Sequence, residues 1–198
     1  MPPQSPRPAG ACPACASETR AVAAARAIGP YEGRLRDVIH ALKYDRRASL
    51  ARPLGALLCD AGRDVIDGAD AAVPVPLHWT RRHQRGFNQA ALLAGQLGVP
   101  VIRALRRTRR TRPQVDLPAA ARHRNVAGAF ALAWRYRLTR SGLGRRFAPP
   151  PLVGLVFVLV DDVSTTGATL EACARVLIAA GAREVRALTA ARAVSRSR

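Results

Sequence analysis

The stretch VFVLVDDVSTTGATL, residues 156–170, constrains the fold more than any other part of the chain. Val156–Val160 is an unbroken run of apolar β-formers, the pattern of a strand covered on both faces, as in parallel sheets. It stops at two adjacent acids, Asp161 and Asp162, and a loop of small and hydroxylated residues then leads into a helical pattern from Ala168 to Ala180. A strand of this kind needs neighbours reached by crossovers, and the rest of the chain offers them.

Leu35, Val38, Ile39 and Leu42 recur at helical spacing between Tyr31 and Tyr44, and Leu50, Leu54, Leu57 and Leu58 do so in a second helix from Ser49 to about Arg63. DAAVPVPL reads as a short strand whose prolines cannot donate to a central ladder. HWTRRHQRGF is a loop, after which Asn88 can cap a helix over QAALLAGQLG. Val101–Leu105 and VAGAFAL read as strands on either side of a long polar loop, Arg106–Asn125, of a length that usually signals function. VRALTAA closes the set. Alternating strands and helices predict an α/β fold with a mainly parallel sheet flanked by helices and a helical N-terminal segment. We divide the chain into an irregular lead-in over 1–30, one domain over 31–192 with a Gly/Pro/Arg insertion at 135–151, and a tail over 193–198.

With 198 residues and a net charge of +19, the chain can bury one good core and will attract polyanions. Lys43 is the only lysine among the 32 Lys and Arg residues, and Asp116 is the only acid between Arg103 and Arg146. That region is expected to bind single-stranded DNA by salt-sensitive phosphate contacts. Trp79 and Trp134 are expected to pack under loops rather than to stack on bases. The opening residues have prolines where a signal sequence would be apolar, and the longest apolar stretch, Val153–Val160, is too short to span a bilayer. A cytoplasmic protein with no membrane segment is the expectation. Cys12 and Cys15 form a single C-x-x-C, half of a four-ligand zinc site, while Cys59 and Cys173 sit alone in helical patterns, so zinc is not expected.

Ligands of open parallel sheets bind beyond the carboxyl ends of the strands, where Asp161 and Asp162 lie. Ser164, Thr165, Thr166, Gly167 and Thr169 offer hydroxyls and N–H groups at a helix start, an anion site a few residues from two hydroxyl or metal acceptors. A sugar phosphate needs both. The plainer alternative is that Ser164 or Thr165 caps the helix while the acids complement its dipole.

VLVDDVSTTGATL resembles the phosphoribosyl diphosphate (PRPP) signature of type I phosphoribosyltransferases. The resemblance implies that Asp161 and Asp162 hold the ribose hydroxyls, with Mg²⁺ reached directly or through ligand and water, and that Val163, Ser164, Thr165, Thr166, Gly167, Ala168 and Thr169 wrap the 5-phosphate. VPVPLHWTRRHQRGFNQA is similar to a stretch of the competence-associated ComF family, and RTRRTRPQVDLPAAARHRNVAGAF fits the same family through Arg107, Thr111, Gln114, Leu117, Arg122, Asn125 and Phe130. This implies a pyrophosphate loop at Arg85 and Gly86, and a mobile flap carrying Arg107, Gln114, Arg122 and Asn125. ALKYD echoes that family's L-K-Y helix end, which implies that Lys43 and Tyr44 reach an acceptor pocket. The implied function is PRPP binding, with phosphoribosyl transfer to an unknown acceptor, or a DNA-uptake accessory role with single-stranded DNA and competence proteins as partners; a homodimer is compatible with either. The chain departs from the family pattern in having one C-x-x-C pair where two are usual, Arg46 where glycine follows L-K-Y, and a longer insertion at 135–151.

Overall fold

The computed structural model describes residues 20–44, 47–77, 86–109, 126, 128–138 and 152–193. Its main sheet has four parallel strands in the order β1-β6-β5-β2: β1 (Ala25–Pro30), β2 (Ala71–Pro74), β5 (Val156–Ser164) and β6 (Glu184–Arg192). β5 sits inside the sheet because Val156–Val160 are all buried and only an interior strand hides both faces. The α/β expectation holds.

Helices α1 (Gly33–Tyr44), α2 (Ala51–Ala61), α3 (Arg63–Ile66) and α4 (Gln89–Ala94) supply one core. There Ile39, Leu42, Leu54, Leu58, Val65 and Leu93 pack with Val158 and Val160. The opposite core packs Phe157 and Leu159 against Cys173, Ala174 and Leu177 of α6 (Ala168–Ala179). Leu105 and Phe130 join that second core from an antiparallel ribbon, β3 (Leu105–Arg107) with β4 (Phe130–Leu132). A short helix, α5 (Trp134–Leu138), follows the ribbon. Among the described residues no helix is long and apolar enough to cross a membrane.

Several boundaries move. β1 lies within the segment read as an irregular lead-in. ARAIGP has no apolar run to announce a strand, and its order comes from pairing with β6, extended by hydrogen bonds from Ala23 N–H to the Val185 carbonyl (2.8 Å) and from Ala187 N–H to the Ala24 carbonyl (2.8 Å). Val101 contributes only a single bridge to Ala72, and the strand expected over Val101–Leu105 forms instead at Leu105–Arg107. VAGAFAL is extended only over Phe130–Leu132, and the first residues of the 135–151 insertion are helical. The helix expected over QAALLAGQLG stops at Ala94, where Gly95 follows.

Candidate functional site

β5 does not end at the acids. It continues to Ser164, paired through Asp161–Thr189, Val163–Ala191 and Ser164–Arg192, because β6 is equally long and offers partners to the end. A strand that stopped at Asp161 or just after would let both carboxylates approach one ligand. Instead the alternation of a strand carries through the pair, and the two half-buried acids acquire different neighbours.

Asp161 continues the Phe157–Leu159 face, toward α6. Burial, and then the adjacent Asp162 carboxylate, push its carboxyl up to about 7. The Asp162 N–H donating to Asp161 Oδ1 (2.9 Å) acts in the other direction, as do Lys43 and Arg107. The same field reaches Cys173, whose thiol is pushed well up, first by burial and then by Asp161. Asp162 continues the Val158–Val160 face, toward α1, where its Oδ1 meets the Lys43 ammonium at 3.0 Å, with both side chains 13% exposed. The Lys43 ammonium also lies 5.9 Å from the centre of the Tyr31 ring.

Three residues on, the chain enters α6 through Gly167 at φ +77°, a left-handed conformation that glycine adopts without strain. Gly167 holds the capping position and brings no side chain of its own to the helix start. The Thr166 hydroxyl accepts from Ala168 N–H at 3.5 Å. A Cβ on Gly167 would meet no atom of the described residues within 4 Å, so among them the space above the helix start is open. Thr166 is exposed, Ser164, Thr165 and Thr169 are half-buried, and Val163 packs on the α1 side of the sheet with Val158 and Val160 rather than with Phe157 and Leu159, so strict alternation ends with the acid pair. Hydroxyls, an open glycine turn and the amino end of α6 therefore converge beside the acid pair.

Gly86, at φ +79°, lies beyond the carboxyl end of β2. Asn88 ties this turn down: its Nδ2 donates to the Val75 carbonyl (3.0 Å) and its Oδ1 accepts from Ala90 N–H (3.1 Å), the helix cap expected from the sequence. Gly86 and Asn88 line a cleft of about 490 Å³ together with Pro76, Arg103, Trp134 and Arg135. The acid pair is not part of that lining. Arg85, Gln114, Arg122, Asn125, Cys12, Cys15 and Trp79 lie outside the described residues.

Arg107 was read as part of the flap and is found on β3, its guanidinium 5.3 Å from the centre of the Phe130 ring and within the electrostatic reach of Asp161. Trp134, expected under a loop, is 69% exposed. Sequence reasoning missed the Lys43–Asp162 pair, the electrostatic reach of Asp161 to Cys173, and Glu171. The Glu171 carboxylate accepts from Ala21 N–H (2.9 Å) and Val22 N–H (3.4 Å), fastening the entry to β1 onto the first turn of α6. Residues 119 and 150 positions apart carry no local signal of such contacts.

No protein-family model matches the chain. DNA utilization protein YhgH of Escherichia coli (strain K12) is 36% identical over 169 residues, covering 80% of this chain and 67% of its own. Competence protein F of Haemophilus influenzae is 33% identical over 176 residues, covering 84% of this chain and 71% of its own. Among solved structures, a hypoxanthine phosphoribosyltransferase from Staphylococcus aureus is similar at a TM-score of 0.35 with 11% identity, over 82% of this chain and 70% of that one, too remote a likeness to carry weight. The curated relatives cover enough of both chains, at sufficient identity, that this protein belongs to the family of competence protein F and DNA utilization protein YhgH, the ComF family.

Proposed function

We propose that the chain binds PRPP with Mg²⁺ at the carboxyl end of β5, and that its chemistry is transfer of the phosphoribosyl group to an acceptor with release of pyrophosphate. The observation carrying this reading is the juxtaposition of Asp161 and Asp162 with an α6 start that turns through a left-handed glycine, open among the described residues and flanked by threonine hydroxyls. Diol acceptors and phosphate donors then stand a few residues apart, as a sugar phosphate requires.

In this reading the carboxylates of Asp161 and Asp162 accept from the ribose hydroxyls. The hydroxyls of Thr165, Thr166 and Thr169 and the N–H groups of the turn hold the 5-phosphate. The turn at Gly86, with Arg85 before it in sequence, is assigned to the pyrophosphate, and Arg107 adds positive charge from the β3–β4 ribbon. During transfer the bond from C1 to the pyrophosphate oxygen breaks and a bond from C1 to the acceptor forms, so that positive charge grows on the ring beside two carboxylates.

The acids supply hard oxygen donors of the kind Mg²⁺ takes. Among the described residues no group of three or more His, Cys, Asp or Glu side chains could hold a metal. When bound there, Mg²⁺ supplies charge stabilisation to the leaving pyrophosphate.

Calorimetry with PRPP, with and without Mg²⁺, tests the reading, and pyrophosphate release over a panel of nucleobases tests the transfer. Saturable, Mg²⁺-dependent heat is expected; none under either condition would overturn it.

A second reading, an accessory role on single-stranded DNA, has its own support. Arg103, Arg106, Arg109 and Arg135 are exposed on or beside the β3–β4 ribbon with Trp134, and the relatives are named for DNA utilization and competence. Titrations at several salt concentrations should then give a steep loss of affinity with salt.

A further inference from the structure

The single lysine of the chain is also the residue that meets Asp162. Every other Lys/Arg position is arginine, yet at the carboxyl end of β5, where the pair is only 13% exposed, the cation is an ammonium 3.0 Å from Asp162 Oδ1. The two side chains differ in what they leave behind. A guanidinium fork fits a carboxylate bidentately and engages both oxygens, whereas an ammonium is a compact point charge that can sit on one. Lys43 stands in the last turn of α1, and its ammonium has the Tyr31 ring centre 5.9 Å away as a second neighbour.

Resting on the PRPP reading above, we propose that Lys43 is a positioning residue of the sugar site. It anchors one oxygen of Asp162 toward α1 and leaves the other to take a hydroxyl of a phosphorylated pentose, while Asp161 works from the α6 face. Lys43 touches no ligand in this scheme and acts through the orientation and charge of Asp162. An arginine at the same place would keep the charge and the ion pair but occupy the oxygen that the sugar needs.

The experiment is calorimetry of PRPP with Mg²⁺ on the full chain and on Lys43→Met, Lys43→Arg, Asp162→Asn and the Lys43→Met/Asp162→Asn double variant, with thermal melting of each. Competition by inorganic phosphate, which reports the α6 turn rather than the acids, runs alongside. Both Lys43 variants should bind PRPP roughly tenfold or more weakly, the loss expected for one hydrogen bond to a charged group. Lys43→Arg should melt like the parent, phosphate competition should be unchanged in it, and the double variant should bind no more weakly than Asp162→Asn alone. Lys43→Arg binding like the parent overturns the inference, as do additive losses in the double variant or a parallel loss of phosphate competition. A parent that binds no PRPP overturns both this inference and the reading beneath it, whereas the first three outcomes leave that reading standing.

Discussion

Asp161 and Asp162 are neighbours in sequence and opposites in environment. Asp162 meets a cation at 3.0 Å, and Asp161 lies within electrostatic reach of a buried thiol with its carboxyl pushed up to about 7. The difference comes from strand geometry: successive side chains point to opposite faces, and the α1 and α6 faces of β5 offer different partners. Two acids that a motif treats as a unit are thus electrostatically distinct, one in a close ion pair and one held in a desolvated place with its carboxyl raised.

The largest effect comes from erasing the comparison. Asp161→Asn with Asp162→Asn keeps the shape and removes both charges, and should weaken PRPP binding by more than about a hundredfold, the loss of two charged acceptors, with unchanged circular dichroism. Binding like the parent's would make the acids structural.

Single changes should then separate the two. Asp162→Asn strands the Lys43 ammonium in a place 13% exposed, and is expected to destabilise the protein by roughly 2–4 kcal/mol, read from urea denaturation. Asp161→Asn relieves a desolvated carboxylate and should instead raise stability at pH 8. Because the folded value of Asp161 lies above its unfolded one, its contribution is fully present below about 4 and is lost as the pH rises through about 7. The parent should therefore lose on the order of 2 kcal/mol between pH 5 and pH 8 that Asp161→Asn does not lose. Equal pH slopes for the two proteins would remove the claimed asymmetry. The smallest effect belongs to the turn: Gly167→Ala meets no atom of the described residues within 4 Å but must hold φ +77°, costing about 1 kcal/mol of stability. A gain on that substitution would mean that the turn relaxes readily to another conformation.

Much of this was readable in the residues. Val156–Val160 announced an interior strand because an unbroken apolar run can be hidden only between two layers. Asn88 announced a helix start because its side chain bonds locally, to Ala90 N–H. The acid pair, the Thr-Thr-Gly turn and the RGFNQ stretch carried the family resemblance, since each is contiguous and its chemistry lies within a few positions. β1 was missed because ARAIGP has no periodicity of its own. Its order comes from β6, more than 150 residues away, and from Glu171 at the first turn of α6.

The sequence by itself therefore determined which side chains reach the carboxyl end of β5, and that a turn permissive for a phosphate follows them. Only the tertiary structure decided how those side chains differ. The length of β6 keeps β5 extended to Ser164 and so holds the acids on opposite faces, and the end of α1 brings the single lysine to one of them. The physical reason is range. Chain periodicity and local hydrogen bonding act over a few residues, whereas the length of a strand and the counter-ion of an acid depend on segments brought together only when the sheet assembles.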